Sequence, residues 1–254
     1  MRTRDSRPRP PAGLQVLFGT AFLAMLAARP AAEPLKAARP LDRVPAGIPQ
    51  VALLAAVAEP GKPRRIEATV SAPRGGYIGL KADYCIEIRA PFTVVWTILN
   101  DFSSYPEVFE TIDQVWDLSR GPSGWTYRQR SVVRAAGLEF PSECVMAAEA
   151  LQEGPGRGRI GFASLEDDGS VRDIGGGWYV ESRDSGDGAA CIVRYVLESS
   201  SQAKFPFQDR IIALSMDAAI GSALKGLERR ASTLSRSASE EAAEAPRLEP
   251  GRGL

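Results

Sequence analysis

Residues 80 to 89, LKADYCIEIR, alternate in character: Ala82, Tyr84, Ile86 and Ile88 form an apolar side, and Asp83, Cys85, Glu87 and Arg89 a polar one. A period of two is that of a half-buried strand. At Pro91 the period changes. Phe92, Val95, Trp96 and Leu99 recur at helical spacing, and a proline suits a first helical turn because it has no N–H to satisfy. The helix is expected to stop near Asn100 and Asp101. SSYPEVF then predicts a second, short helix with Pro106 in its first turn. Six strand-like segments follow, at about 112–119, 125–134, 138–151, 157–165, 171–183 and 189–199, separated by the turn signals RGPSG, AAG, EGPGRG, EDDGS and DSGDG. The last apolar pattern, FPFQDRIIALSMDAAIGSALKGLERRASTLS, predicts one long helix with Ile212, Met216, Ala219, Ile220, Ala223, Leu224 and Leu227 in a single stripe.

This order of elements predicts an α+β fold: a seven-stranded antiparallel sheet wrapped around a long C-terminal helix, with two short helices after the first strand. The apolar face of such a sheet is too wide for one helix to cover unless the sheet curves, and curvature leaves a cavity between the two.

Strand parity selects the side chains that face it. In WTYRQRSVVR, Arg128, Arg130 and Arg134 share one face, so Trp125, Tyr127, Gln129, Ser131 and Val133 take the other. The same rule points Ser142, Cys144, Met146, Ile160, Phe162, Ser164, Ile174, Trp178, Val180, Val193, Tyr195 and Leu197 inward. The expected ligand-binding set is Tyr127, Gln129, Ser131, Met146, Phe162, Trp178 and Tyr195 from the sheet, with Met216 and Ile220 from the helix. Taken singly, each is what any sheet buries against any helix. The polar members change the picture, because a buried Gln or Ser needs a partner in water, ligand or neighbouring backbone.

The chain ends differ from this block. MRTRDSRPRP is basic, and Gly13 to Ala28 carries no charge before Arg29 and PAAEP. Residues 1–30 thus read as a signal peptide or an uncleaved N-terminal anchor, with a cytosolic protein whose start codon is misplaced as the alternative; the run is short for a membrane span, which needs roughly 20 apolar residues. Export, to periplasm or exterior, is the expected localisation. Residues 31–79 read as an Ala/Pro-rich linker with room for a short helix at VALLAAV, residues 80–235 as the domain, and 236–254 as a disordered tail.

Composition narrows the chemistry. The chain has no histidine, which removes the commonest general base and metal ligand. Its 31 basic residues balance 31 acidic ones, so no net field favours nucleic acid, and Arg157 and Arg159 are too sparse for an RNA surface. Three cysteines, Cys85, Cys144 and Cys191, lack metal or redox spacing and read as free thiols. Glu166, Asp167 and Asp168 sit at a predicted hairpin turn, where they serve backbone geometry. Neither a metal, a cofactor nor a catalytic constellation is expected.

IEIRAPFTVVWTILNDFSSYPEVF, with its strand, A-P pair, tryptophan and D-F-x-x-Y-P turn, resembles the opening of the START/polyketide-cyclase (SRPBCC) superfamily. GGGWYVES, CIVRYVLES and the long final helix are similar to the end of the same domain. The resemblance spans about residues 80–235 and is closest to the branch of coenzyme Q-binding and cyclase/dehydrase-like proteins. It implies a helix-grip fold that binds a lipid, quinone or polyketide-like aromatic, with Trp96 plugging one end of the core and Asp101 to Pro106 turning the chain. The export-like segment and long linker depart from compact members. Three functions follow: a non-catalytic carrier of a hydrophobic molecule, membrane-associated through its N-terminus; a cyclase or dehydratase moving protons with Tyr127, Tyr195 or a pocket arginine; or a partner-binding module whose cavity is filled by its own side chains.

Overall fold

A computed structural model describes residues 58–244, apart from 123, 136–137, 186–187 and 205. The expected signal or anchor, the VALLAAV patch up to Val57 and residues 245–254 of the expected tail lie outside the described residues. The strands are β1 (Arg64–Val70), β2 (Tyr77–Ile88), β3 (Ile112–Gly121), β4 (Gly124–Ala135), β5 (Leu138–Gly154), β6 (Arg157–Asp167), β7 (Val171–Ser185) and β8 (Gly188–Gln202). The helices are α1 (Phe92–Asn100), α2 (Tyr105–Val108) and α3 (Gln208–Glu244), with a 3-10 turn at Phe102–Ser104. The sheet order is β1-β2-β8-β7-β6-β5-β4-β3, and every neighbouring pair is antiparallel.

The α+β helix-grip expectation holds, with two differences. The sheet has eight strands, because β1 lies in the stretch read as linker and pairs with β2. RRIEATV hides its alternation: as an edge strand it buries almost nothing, and even Ile66 is exposed. The final helix also runs past residue 235 to Glu244, into the stretch expected to be disordered. SASEEAAE lacks large apolar residues, but Ala and Glu are strong helix formers that extend a helix already anchored by packing.

Sequence parity carries over to the faces of the sheet. Arg128, Arg130 and Arg134 lie outside, near Asp117, Asp113 and Glu139 at 3.9, 3.5 and 2.9 Å. On the inner face Ile86, Ile88, Ile160, Val180 and Val193 pack with Val95 and Leu99 of α1 and with Leu224, Leu227 and Ala231 of α3. Fully burying a side chain such as Leu227 contributes about 1.5–3 kcal/mol, so this end anchors the helix to the sheet. In β7, just past the register shift between Arg172 and Gly175, Gly176 approaches Val196 so closely that an added Cβ would lie 2.0 Å from the carbonyl oxygen, which leaves no room for a side chain.

The D-F-x-x-Y-P segment turns the chain as expected. The Asp101 N–H donates to Thr97 and closes α1, Ser104 Oγ donates to the Asp101 carbonyl at 2.9 Å, and the Tyr105 hydroxyl donates back to the Leu99 carbonyl at 2.7 Å. Trp96 is half-buried rather than a full plug: it packs on Phe92, with centroids 5.6 Å apart, and against Gly158 of β6. All three cysteines are free and buried. Cys85, on the outer face, is buried too, flanked in register by Arg64 and Arg194.

Candidate ligand cavity

Between the inner face of the sheet and the first half of α3 lies a cavity of about 310 Å³. The nine residues expected from parity and helical spacing, Tyr127, Gln129, Ser131, Met146, Phe162, Trp178, Tyr195, Met216 and Ile220, all line it. The strand registers explain their convergence: Tyr127 opposes Met146, Ser131 opposes Ser142, and Tyr195 of β8 opposes Trp178 of β7. Met216 and Ile220, one turn apart on α3, form the other wall with Ile212, Ala219 and Ala223.

Of the other residues expected to point inward, Val133, Ser142, Ile174 and Leu197 also line the cavity, and Trp125, Cys144, Ile160, Ser164, Val180 and Val193 are not among its lining residues. Cys144, Ile160, Val180 and Val193 are packed in the core. Ser164 staples β6 to the bulged start of β7 instead, accepting from the Ile174 N–H at 3.1 Å. A further group of lining residues was not legible as such in the sequence. Phe102 and Tyr105 come from the 3-10 turn and α2, and Phe109 caps the end of α2; only the aromatic spacing of Tyr105 and Phe109, four residues apart, signalled a shared face. Ser199, Ser201 and Gln208 line it as well; alternation within the run ESSSQ gave no hydrophobic cue.

The cavity has two chemically different ends. Towards α1 and α2 it is aromatic: Phe102 stacks on Tyr127 at 5.0 Å, Phe109 on Trp178 at 5.5 Å, and Trp178 meets Tyr195 at 4.2 Å between centroids. At the other end are the β4–β5 and β6–β7 hairpins, the end of β8 and the start of α3. Ser131, Ser142, Ser199, Ser201 and Gln208 gather there. Gln208 is buried and satisfied, accepting from the Lys204 N–H at 2.7 Å and donating to the Gln202 carbonyl at 2.8 Å. Gln129 donates to Ser131 Oγ at 2.7 Å.

Among the described residues, no Lys, Arg, Asp or Glu lines the cavity. Its titratable groups are Tyr105, Tyr127 and Tyr195. Burial pushes all three phenols well above the ordinary tyrosine range, so they stay protonated donors at neutral pH. Burial likewise raises the Cys144 thiol, behind this wall, to about 12. Among the described residues no group of three or more His, Cys, Asp or Glu side chains is placed to hold a metal ion. At the β6–β7 turn Asp167 accepts from the Gly169 N–H at 3.0 Å and Asp168 from the Ser170 N–H at 2.9 Å, so these carboxylates serve the turn. No helix of the described residues is long and apolar enough to cross a membrane. The arrangement can desolvate an apolar molecule, stack it against rings and meet it with hydroxyl donors.

No protein-family model matches the chain, and no curated protein matches it. Solved structures do. Human STARD10 superposes with a TM-score of 0.51 at 11% identity, over 84% of this chain and 87% of its own. A START superfamily protein from Mycobacterium smegmatis gives 0.45 at 16% identity, over 61% and 98%. A STAR-related lipid transfer protein from Xanthomonas axonopodis gives 0.47 at 14% identity, over 65% and 98%. The chain has the START, or helix-grip, fold.

Proposed function

We propose that this protein binds and carries a hydrophobic small molecule in the cavity between its sheet and α3, without chemically transforming it. The observation that carries this reading is the lining itself: apolar and aromatic walls with a few hydroxyls and, among the described residues, no charged side chain. Ligand pockets have this composition and begin at about 300 Å³. Support also comes from the fold, which is shared with human STARD10 at a TM-score of 0.51. A quinone, a lipid or a polyketide-like aromatic are the cargo classes that the sequence resemblance implies.

A cyclase or dehydratase is the second reading. Orientation alone accelerates ring closure, so a shaped cavity could act on a folded chain without a general base. The raised phenols of Tyr127 and Tyr195 are poor bases at neutral pH, which favours carriage. Export and membrane association rest on residues 13–28 and belong to the same reading: a carrier at the outer side of a membrane.

Native mass spectrometry of the full-length protein, with extraction and identification of what co-purifies, tests the reading. A stoichiometric hydrophobic molecule recovered unchanged is the expected result. Recovery of a cyclised or dehydrated product from a supplied precursor would replace carriage with catalysis.

A further inference from the structure

We infer that the cavity takes one uncharged, compact molecule of aromatic character that presents an acceptor oxygen to the hydroxyls of Tyr127 and Tyr195. This deepens the carrier reading and rests on it. Three observations on the same site narrow the cargo.

The first is charge. Among the described residues, no lining side chain carries a charge to form an ion pair with a carboxylate, a phosphate or an ammonium. A charged group carried inside would lose its hydration without compensation, and an isolated buried ion costs several kcal/mol even after relaxation. A fatty-acid anion or a phosphate-bearing headgroup is therefore a poor occupant.

The second is size. An apolar protein cavity of about 150 Å³ holds benzene. A space of about 310 Å³ takes a molecule about twice as large, on the scale of two fused rings with a short substituent, and does not enclose a two-chain lipid.

The third is hydrogen bonding. Tyr127 is buried, and half-buried Tyr195, its ring tilted against Trp178, lines the same cavity. Tyr105 donates to the Leu99 carbonyl, but among the described residues neither the Tyr127 nor the Tyr195 hydroxyl has an acceptor. Neither oxygen is among the fully buried polar atoms that lack a partner, so both hydroxyls open on space that an acceptor can reach, and burial of the rings keeps them protonated. Two donors on one aromatic floor select an acceptor such as a carbonyl or ether oxygen.

The test is calorimetric titration of the full-length protein at pH 7.5 with 2-acetylnaphthalene, 2-ethylnaphthalene and 2-naphthoate, repeated on the Tyr127→Phe/Tyr195→Phe variant. The ketone should bind more tightly than the carboxylate by about a hundredfold, the equivalent of a modest uncompensated charge penalty. In the double variant the ketone should lose about tenfold while the hydrocarbon is unchanged, as expected for one or two neutral hydrogen bonds. Naphthoate binding as tightly as the ketone overturns the inference on the wild-type protein alone, and so does a ketone affinity untouched in a folded double variant. If palmitate or phosphatidylcholine binds while the neutral naphthalenes do not, this inference falls and the carrier reading stands. If none of these ligands binds, the carrier reading falls with it.

Discussion

Trp96 of α1 sits against Gly158 of β6 so closely that a Cβ built on the glycine would lie 2.6 Å from the indole Cζ3. The glycine in GRGRIG, read from sequence as part of a turn and strand, is thus the seat of the tryptophan that marks the opening motif. Gly158→Ala is expected to destabilise the fold by about 1–3 kcal/mol through overpacking. Denaturant unfolding would show it, and the double variant with Trp96→Leu should recover part of the loss. A simple sum of the two single losses would mean that the residues are not coupled.

Two glycines on α3 give opposite expectations. A Cβ on Gly226 would lie 2.0 Å from the Val108 carbonyl oxygen of α2, whereas none of the described residues stands within 4 Å of one on Gly221. Alanine gains about 1 kcal/mol over glycine in a helix interior. Gly221→Ala should realise most of that gain. Gly226→Ala should lose roughly 1–3 kcal/mol net, because backbone must move. Midpoints of thermal unfolding shifted in the same direction for both would contradict the close approach of α2 and α3.

Filling the cavity should separate binding from folding. Ser131 lines it near the hairpin end and is only half-buried, so an indole at this position has space to enter. Ser131→Trp is expected to abolish binding of hydrophobic probes while the circular dichroism spectrum stays that of the wild type. Undiminished probe binding by this variant would remove the lining assigned to β4.

Alkaline pH should destabilise the protein before any backbone chemistry intervenes. Burial raises Cys144 and Cys191 to about 12 and lifts Tyr84, Tyr127 and Tyr195 further above their ordinary values. Above the unfolded thiol value of about 8.5, the unfolded chain has released protons that the folded one still holds. The folded state then binds more protons, so stability falls as pH rises. The stabilisation is fully present below about pH 8.5 and is lost as pH rises towards 12, at up to about 1.4 kcal/mol per pH unit for each group. Urea midpoints that stay flat between pH 8 and 11 would show that these groups are not buried.

Much of this was legible in the sequence because period and parity are physical consequences of burial on one face. Alternation in WTYRQRSVVR placed Tyr127, Gln129 and Ser131 on the cavity side, and the Met216–Ile220 spacing placed α3 opposite. Legibility failed where burial is slight or cooperative. In β1, Arg64, Arg65 and Glu67 surround an exposed Ile66, so pairing with β2 leaves almost no hydrophobic trace. The extension of α3 to Glu244 draws on helix propensity rather than amphipathicity. Phe102, Tyr105 and Phe109 were legible as a turn but not as a cavity floor, because that role depends on where β4 and β7 pass beneath them.

The two halves of α3 do not share the same surroundings. From Leu224 to Ala231 its inner side chains are fully buried, and Ser222 and Arg229 both bind Glu110, at 2.7 and 3.1 Å. From Ile211 to Ile220 its inner side chains face the cavity, while Leu214 points to solvent at 83% exposure. A guest bound there, as proposed, would complete the core as a missing side chain would, so loading and folding would draw on the same free energy. A carrier of this kind would register its cargo through its own persistence: at a hundred times the dissociation constant the loaded form would gain about 2.7 kcal/mol over the empty one.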